Sequence, residues 1–194
     1  MRRGGTMEKI DQSRKAFESI YDFVKLNKEQ ILTEADARLQ IIDRILIEVL
    51  GWPREGILTE PPTASGFLDY LLTSGGRNLF VVEAKRAAVP LVSTKNNRLA
   101  FYKVGGAALR DAEEGLTQAQ RYCSEKSVPY AALTNGLAWV GFRPVRLDGI
   151  AFRDGVAAVF PSLDAVSEKF AEFYDLFSQE GVMRRLYSVL LDRE

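Results

Sequence analysis

GFLDYLLTSGGRNLFVVEAK, residues 66–85, is the stretch on which the reading of this chain turns. Two apolar runs flank Ser74-Gly75-Gly76-Arg77, so strands over about 66–73 and 78–85 joined by a glycine turn are expected. An ordinary core hairpin would not carry Asp69, Glu83 and Lys85. Successive side chains on a strand point to opposite faces, so Glu83 and Lys85 share a face with Val81, while Phe80, Val82 and Ala84 take the other. Whether Asp69 joins the pair depends on register, because a slip of one residue moves every side chain across the sheet. An odd loop centred on Gly76, or a bulge, pairs Leu71 with Val81 and sets Asp69 opposite Glu83, with Cβ atoms about 5 Å apart. A plain two-residue turn sets Asp69 opposite Val82 instead.

Directly opposed carboxylates repel unless a cation lies between them. A hard divalent ion such as Mg²⁺ takes oxygen ligands and retains waters, one of which can serve as a nucleophile. Lys85 could orient that water or stabilise developing negative charge. The plain alternative is a solvated strand face carrying a weak ion pair.

Composition narrows the chemistry. The 194 residues contain no histidine and one cysteine, Cys123. Histidine bases, Ser-His-Asp triads and Cys/His zinc sites are excluded, as is an internal disulfide. A single cysteine suits a reducing compartment, and a cytoplasmic location is expected. No apolar run approaches the roughly 20 residues of a membrane span, and Met1–Lys15 lacks the apolar centre of a signal peptide. With 26 basic and 26 acidic residues, no net charge draws the chain to nucleic acid, so contacts must come from local clusters or from a larger assembly.

The remaining pattern is α/β. A lead-in over 1–6 without order precedes an amphipathic helix over 7–26, and a second helix covers 33–50, with Thr33 and Asp36 as its capping box. Residues 86–112 read as a long loop whose cations Lys95, Arg98, Lys103 and Arg110 are as consistent with scattered surface charge as with phosphate contacts. A helix over 114–126, a strand over 130–134, an Asn135-Gly136 turn and a strand over 137–142 follow. A short strand pair near 150–160 and helices from Ser162 and over 182–191 complete the chain. Cys123, Trp52 and Trp139 read as packed core residues, and Glu60 as a local polar group first and an acid supporting the site from behind second.

Gly66-x-x-Asp69-Tyr70 followed by Val82-Glu83-Ala84-Lys85 resembles the PD-(D/E)xK nuclease core, specifically the N-terminal nuclease domain of type I restriction enzyme R subunits and related antiviral defence proteins. The likeness runs over about 33–142, through Glu34, Arg38, Ile42, Leu50-Gly51-Trp52, Gln118-x-x-x-Tyr122 and Leu133-Thr134-Asn135-Gly136-x-x-Trp139. It departs in one place: Leu68, not proline, precedes Asp69. The resemblance implies a restriction-endonuclease-like mixed central sheet flanked by helices, with a nuclease domain over 7–160 and a C-terminal helical segment over 161–194 that packs on it or links to a following module.

It also implies a Mg²⁺-dependent DNA endonuclease, with Mn²⁺ able to substitute. Asp69 and Glu83 would be metal ligands, Lys85 the catalytic lysine and Glu34 a further acidic ligand, although the helix dipole alone accounts for an acid at that place. Gln118 and Tyr122, one helical turn apart, match the accompanying Q-x-x-x-Y element. Double-stranded DNA is the expected substrate, with RNA as another. The expected context is a larger NTPase-containing polypeptide or a homo-oligomer, since no P-loop occurs here. A non-catalytic nuclease-like binding module is the competing reading.

Overall fold

The structure is a computed structural model that describes residues 4–192 other than Ser65, with side chains from residue 7 onward. Gly75 and Gly76 have φ of 57° and 73°, the paired positive values that a tight primed hairpin turn requires, and the turn closes with Ser74 opposite Arg77. The register does not continue unbroken. Thr73 pairs with Asn78 but Leu72 pairs with Phe80, so Leu79 is an extra residue in a bulge. Beyond it Leu71 faces Val81 and Tyr70 faces Val82, the last pair of the ladder, one residue short of Asp69 and Glu83. The turn itself has two residues, and the bulge supplies the odd count.

The strands are β1 (Ile57–Thr59), β2 (Pro62–Thr63), β3 (Gly66–Phe67), β4 (Tyr70–Ser74), β5 (Arg77–Ala84), β6 (Ala100–Lys103), β7 (Ala131–Thr134), β8 (Trp139–Phe142) and β9 (Val156–Phe160). Among the described residues, β1, β4, β5, β7, β8, β9 and β6 form, in that order, a seven-stranded sheet, and β2 and β3 pair separately. Only β5 and β7 run parallel, which makes the sheet mixed. Their connection contains the helix Glu113–Lys126, as a parallel pair requires a long crossover.

The helices are α1 (Gly4–Asn27), α2 (Glu34–Ala37), α3 (Glu113–Lys126), α4 (Leu163–Glu168), α5 (Phe170–Phe177), α6 (Gln179–Met183) and α7 (Leu186–Leu191). α2 continues into π-helical segments Arg38–Ile42 and Ile45–Val49. Its start carries the expected capping box: the Asp36 amide donates to Thr33 Oγ1 at 3.0 Å, and the Thr33 amide donates to Asp36 Oδ2 at 2.9 Å.

The two sheet faces bury separate cores. Tyr70, Leu72, Phe80, Val82 and Ala84 pack with α1, α2 and the C-terminal helices, whereas Leu71, Val81, Ala131 and Leu133 pack under α3 with Leu116, Ala119 and Tyr122. Glu83 belongs to the α3 face by alternation, as parity predicts. The C-terminal segment completes the first core. Phe170, Phe173 and Phe177 are buried with Trp139 and Phe160, and Trp52 Nε1 donates to the Phe177 carbonyl at 2.9 Å. Each such aromatic contributes about 1.5–3 kcal/mol by burial, which holds this segment against the sheet. No described helix is long and apolar enough to cross a membrane.

Several local expectations are corrected. α1 begins at Gly4, inside the stretch read as a lead-in, while Met1–Arg3 lie outside the described residues. The loop read over 86–112 contains β6, which pairs with β9, and a 3-10 segment at Ala107–Ala112. No strand pair forms around Asp154-Gly155: Phe152–Asp154 is a 3-10 turn, and β9 finds its partners at long range. The 66–73 strand is broken at Leu68-Asp69, which frees Asp69 from regular pairing. The hairpin after β7 has a loop over 135–138 because Asn135 and Thr134 side chains accept its amides. The helix read over 182–191 is two, divided at Arg185, whose φ of 56° is left-handed.

Candidate active site

The C-terminal end of β5 brings the candidate residues together. Beyond Val82 the antiparallel ladder with β4 lapses, and the Ala84 amide donates to Asp69 Oδ2 at 2.7 Å in place of a strand carbonyl. On its other side the Lys85 amide donates to the Thr134 carbonyl at 2.8 Å, so β7 holds this end of β5.

Glu83 is 1% exposed and is one of few buried polar residues in the described structure. Its Oε1 accepts from Lys85 Nζ at 2.8 Å, and its Oε2 is buried without a hydrogen-bond partner. Burial, followed by the charge of Asp69, pushes the carboxyl up to about 7, against the opposing hydrogen bond and charge of Lys85. For Lys85 burial opposes the charge, but the bond to Glu83 and the charges of Glu83, Asp69 and Glu34 outweigh it and raise the ammonium above its ordinary value.

α3 supplies the lid. Lys85 Nζ lies 3.4 Å from Gln118 Oε1, Gln118 Nε2 donates to the Tyr122 hydroxyl at 3.0 Å, and that hydroxyl donates to the Phe67 carbonyl at 2.7 Å. The Gln-Tyr pair thus connects the lysine to the segment that carries Asp69. Gly115 permits the approach: a Cβ there would stand 2.7 Å from Leu133 Cδ1 and 3.2 Å from Lys85 Cε. Sequence reading passed over this residue, although a glycine inside a helix is a signal of close packing.

Glu34 stands apart from the hydrogen-bonded group. It acts on the site through its charge, which raises both Glu83 and Lys85. Among the described residues no three His, Cys, Asp or Glu side chains form a ready cage for a metal ion. The two opposed carboxylates still fit a hard divalent cation. The donors are all oxygen, and Glu83 Oε2 is a desolvated acceptor that no described residue satisfies.

Arg38, named above only as part of the resemblance and given no role there, also belongs to the site. One turn from Glu34 on the same helix, its Nη1 lies 3.0 Å from Glu60 Oε1 and 3.7 Å from Asp69 Oδ1. Its Nε donates to the Tyr70 hydroxyl at 3.2 Å, which donates in turn to Asp43 Oδ1 at 2.7 Å. Burial opposes the Arg38 charge, yet Tyr70, Glu60 and Asp69 together hold the guanidinium above its ordinary value. Glu60 therefore meets the site through Arg38. Asn135 has a scaffold role: its Nδ2 donates to the Val89 carbonyl at 2.8 Å and pins the segment leaving Lys85. Cys123 is buried, and desolvation raises its thiol, so it is a packed residue.

No family model matches the chain, and neither a curated protein nor a solved structure matches it.

Proposed function

We propose that this domain is a Mg²⁺-dependent nuclease of the PD-(D/E)xK kind, hydrolysing phosphodiester bonds of double-stranded DNA. The observation that carries the reading is the buried Glu83, with one carboxylate oxygen bonded to Lys85, the other without a partner among the described residues, and the charge of Asp69 acting on the group. A protein has little reason to bury opposed acids unless a cation is to join them. Asp69 and Glu83 would hold Mg²⁺, or Mn²⁺ in its place, with Glu34 adding negative charge nearby. When bound, the ion would supply a coordinated water of lowered pKa and positive charge beside the scissile phosphate. Lys85, held by Glu83 and Gln118, presents a compact cation where charge develops on the phosphate oxygens. Gln118 and Tyr122 keep that ammonium from swinging into solvent.

The neutral net charge supports a division of labour in which a larger NTPase-containing polypeptide or complex brings the DNA and this domain cuts it, as in a restriction or anti-phage defence protein. The single cysteine and absent disulfide suit a cytoplasmic setting. The test is cleavage of supercoiled plasmid with Mg²⁺ or Mn²⁺. Wild type should nick and linearise it, and Asp69→Ala and Lys85→Ala should each be slower by about 100-fold or more. Equal rates for all three would defeat the assignment.

A further inference from the structure

The nuclease reading leaves one cation at the site without a task. Arg38 is braced at its inner end, where its Nε donates to the Tyr70 hydroxyl and its guanidinium lies 4.9 Å from the centre of the Tyr70 ring. Asp43 fixes that hydroxyl in turn. At its outer end, however, the only hydrogen bond it makes among the described residues is to Glu60, whose side chain is 65% exposed. Asp69 Oδ1, at 3.7 Å, is within ion-pair range and beyond hydrogen-bond reach. Exposed pairs such as Arg38–Glu60 contribute little net stability and are readily exchanged. Glu60 is itself held in place by its backbone, with a left-handed φ of 51° and its amide donating to the Asp69 carbonyl at 3.1 Å. The carboxylate is thus stationed over the guanidinium beside the acidic centre. Lys85 has two of its three donors on Glu83 and Gln118, which leaves one for a phosphate oxygen.

Building on the nuclease reading, we propose that Arg38 is the residue that grips a backbone phosphate of the DNA, and that Glu60 occupies its fork until a phosphate displaces it. A braced planar guanidinium offers two parallel N–H donors to a phosphate, a geometry that a flexible ammonium does not supply. Glu60 then acts as a competitor for the same donors, so its removal strengthens DNA binding.

The experiment is fluorescence anisotropy of a short labelled duplex DNA in Ca²⁺, across a range of salt concentrations, so that binding is read without cleavage. Arg38→Ala should weaken binding about tenfold regardless of sequence and reduce the log–log salt slope by about one. Arg38→Lys, which keeps the charge and loses the fork, should keep the slope and lose part of the affinity. Glu60→Ala should tighten binding several-fold in the wild type and have no effect in the Arg38→Ala background. An unchanged slope in Arg38→Ala, or a Glu60→Ala gain that persists without Arg38, overturns the Arg38 assignment and leaves the nuclease reading standing. Absence of duplex binding by the wild type also overturns the Arg38 assignment, and the nuclease reading is then decided by the plasmid cleavage assay alone.

Discussion

Asp69 and Glu83 are tied to one another through the backbone between them: Asp69 Oδ2 accepts the amide of Ala84, the residue next to Glu83, at 2.7 Å. The bond fixes one carboxylate oxygen of Asp69 and sets the spacing of the two acids independently of any bound ion. Their mutual repulsion is therefore built into the fold.

That repulsion has a pH signature. Glu83 is pushed up to about 7 from an ordinary 4.5, so between these values the folded protein holds a proton that the unfolded chain has released. The resulting stabilisation is fully present below about 4.5, is lost as pH rises through about 7, and stays lost above it. Without divalent metal, the stability of wild type relative to Glu83→Gln should fall by on the order of 2–3 kcal/mol across that window. Denaturant melts in chelator from acid to mildly alkaline pH measure it. Parallel curves for the two proteins would refute the assignment.

Gly115 sets how closely α3 approaches β5 and β7. Gly115→Ala improves helix propensity by about 1 kcal/mol, yet its methyl meets Leu133 Cδ1 at 2.7 Å. Overpacking should dominate, with a net loss of about 1–3 kcal/mol in a chemical melt, and cleavage should fall further than stability as Gln118 moves away from Lys85. A variant as stable and as active as the wild type would show that α3 does not depend on this contact.

Tyr122 joins α3 to the segment that carries Asp69. Tyr122→Phe keeps the ring and removes the hydroxyl that donates to the Phe67 carbonyl and accepts from Gln118. Stability should drop by about 1 kcal/mol. Mn²⁺ binding measured by calorimetry should stay within about twofold while cleavage falls about tenfold, since Lys85 and not the acid pair is disturbed. Metal affinity that falls in step with cleavage would place Tyr122 in the metal site instead.

What the sequence alone determined is local and periodic. Alternation placed Glu83 and Lys85 on one face with Val81, the Gly75-Gly76 pair marked the turn, Thr33 with Asp36 capped the second helix, and Gln118 with Tyr122 shared a helix face. These follow from the geometry of a strand, a turn and a helix, which a short window of residues specifies by itself. The fold class was legible for the same reason.

Only the tertiary structure decided what depends on distance in the chain. The bulge at Leu79 chose the register that pairs Leu71 with Val81 and Tyr70 with Val82 and so leads the chain to Asp69 beside the end of β5, because the two apolar faces of the hairpin must each meet their own core layer. β6 formed inside an apparent loop because β9 presented an edge to it, a pairing that no local signal announces. Arg38 reached Asp69, and Gly115 admitted α3 to Lys85, only once α2, β4, β5 and α3 were packed. Charge and chemical type are written residue by residue, but the pairing of one charge with another belongs to the packed fold.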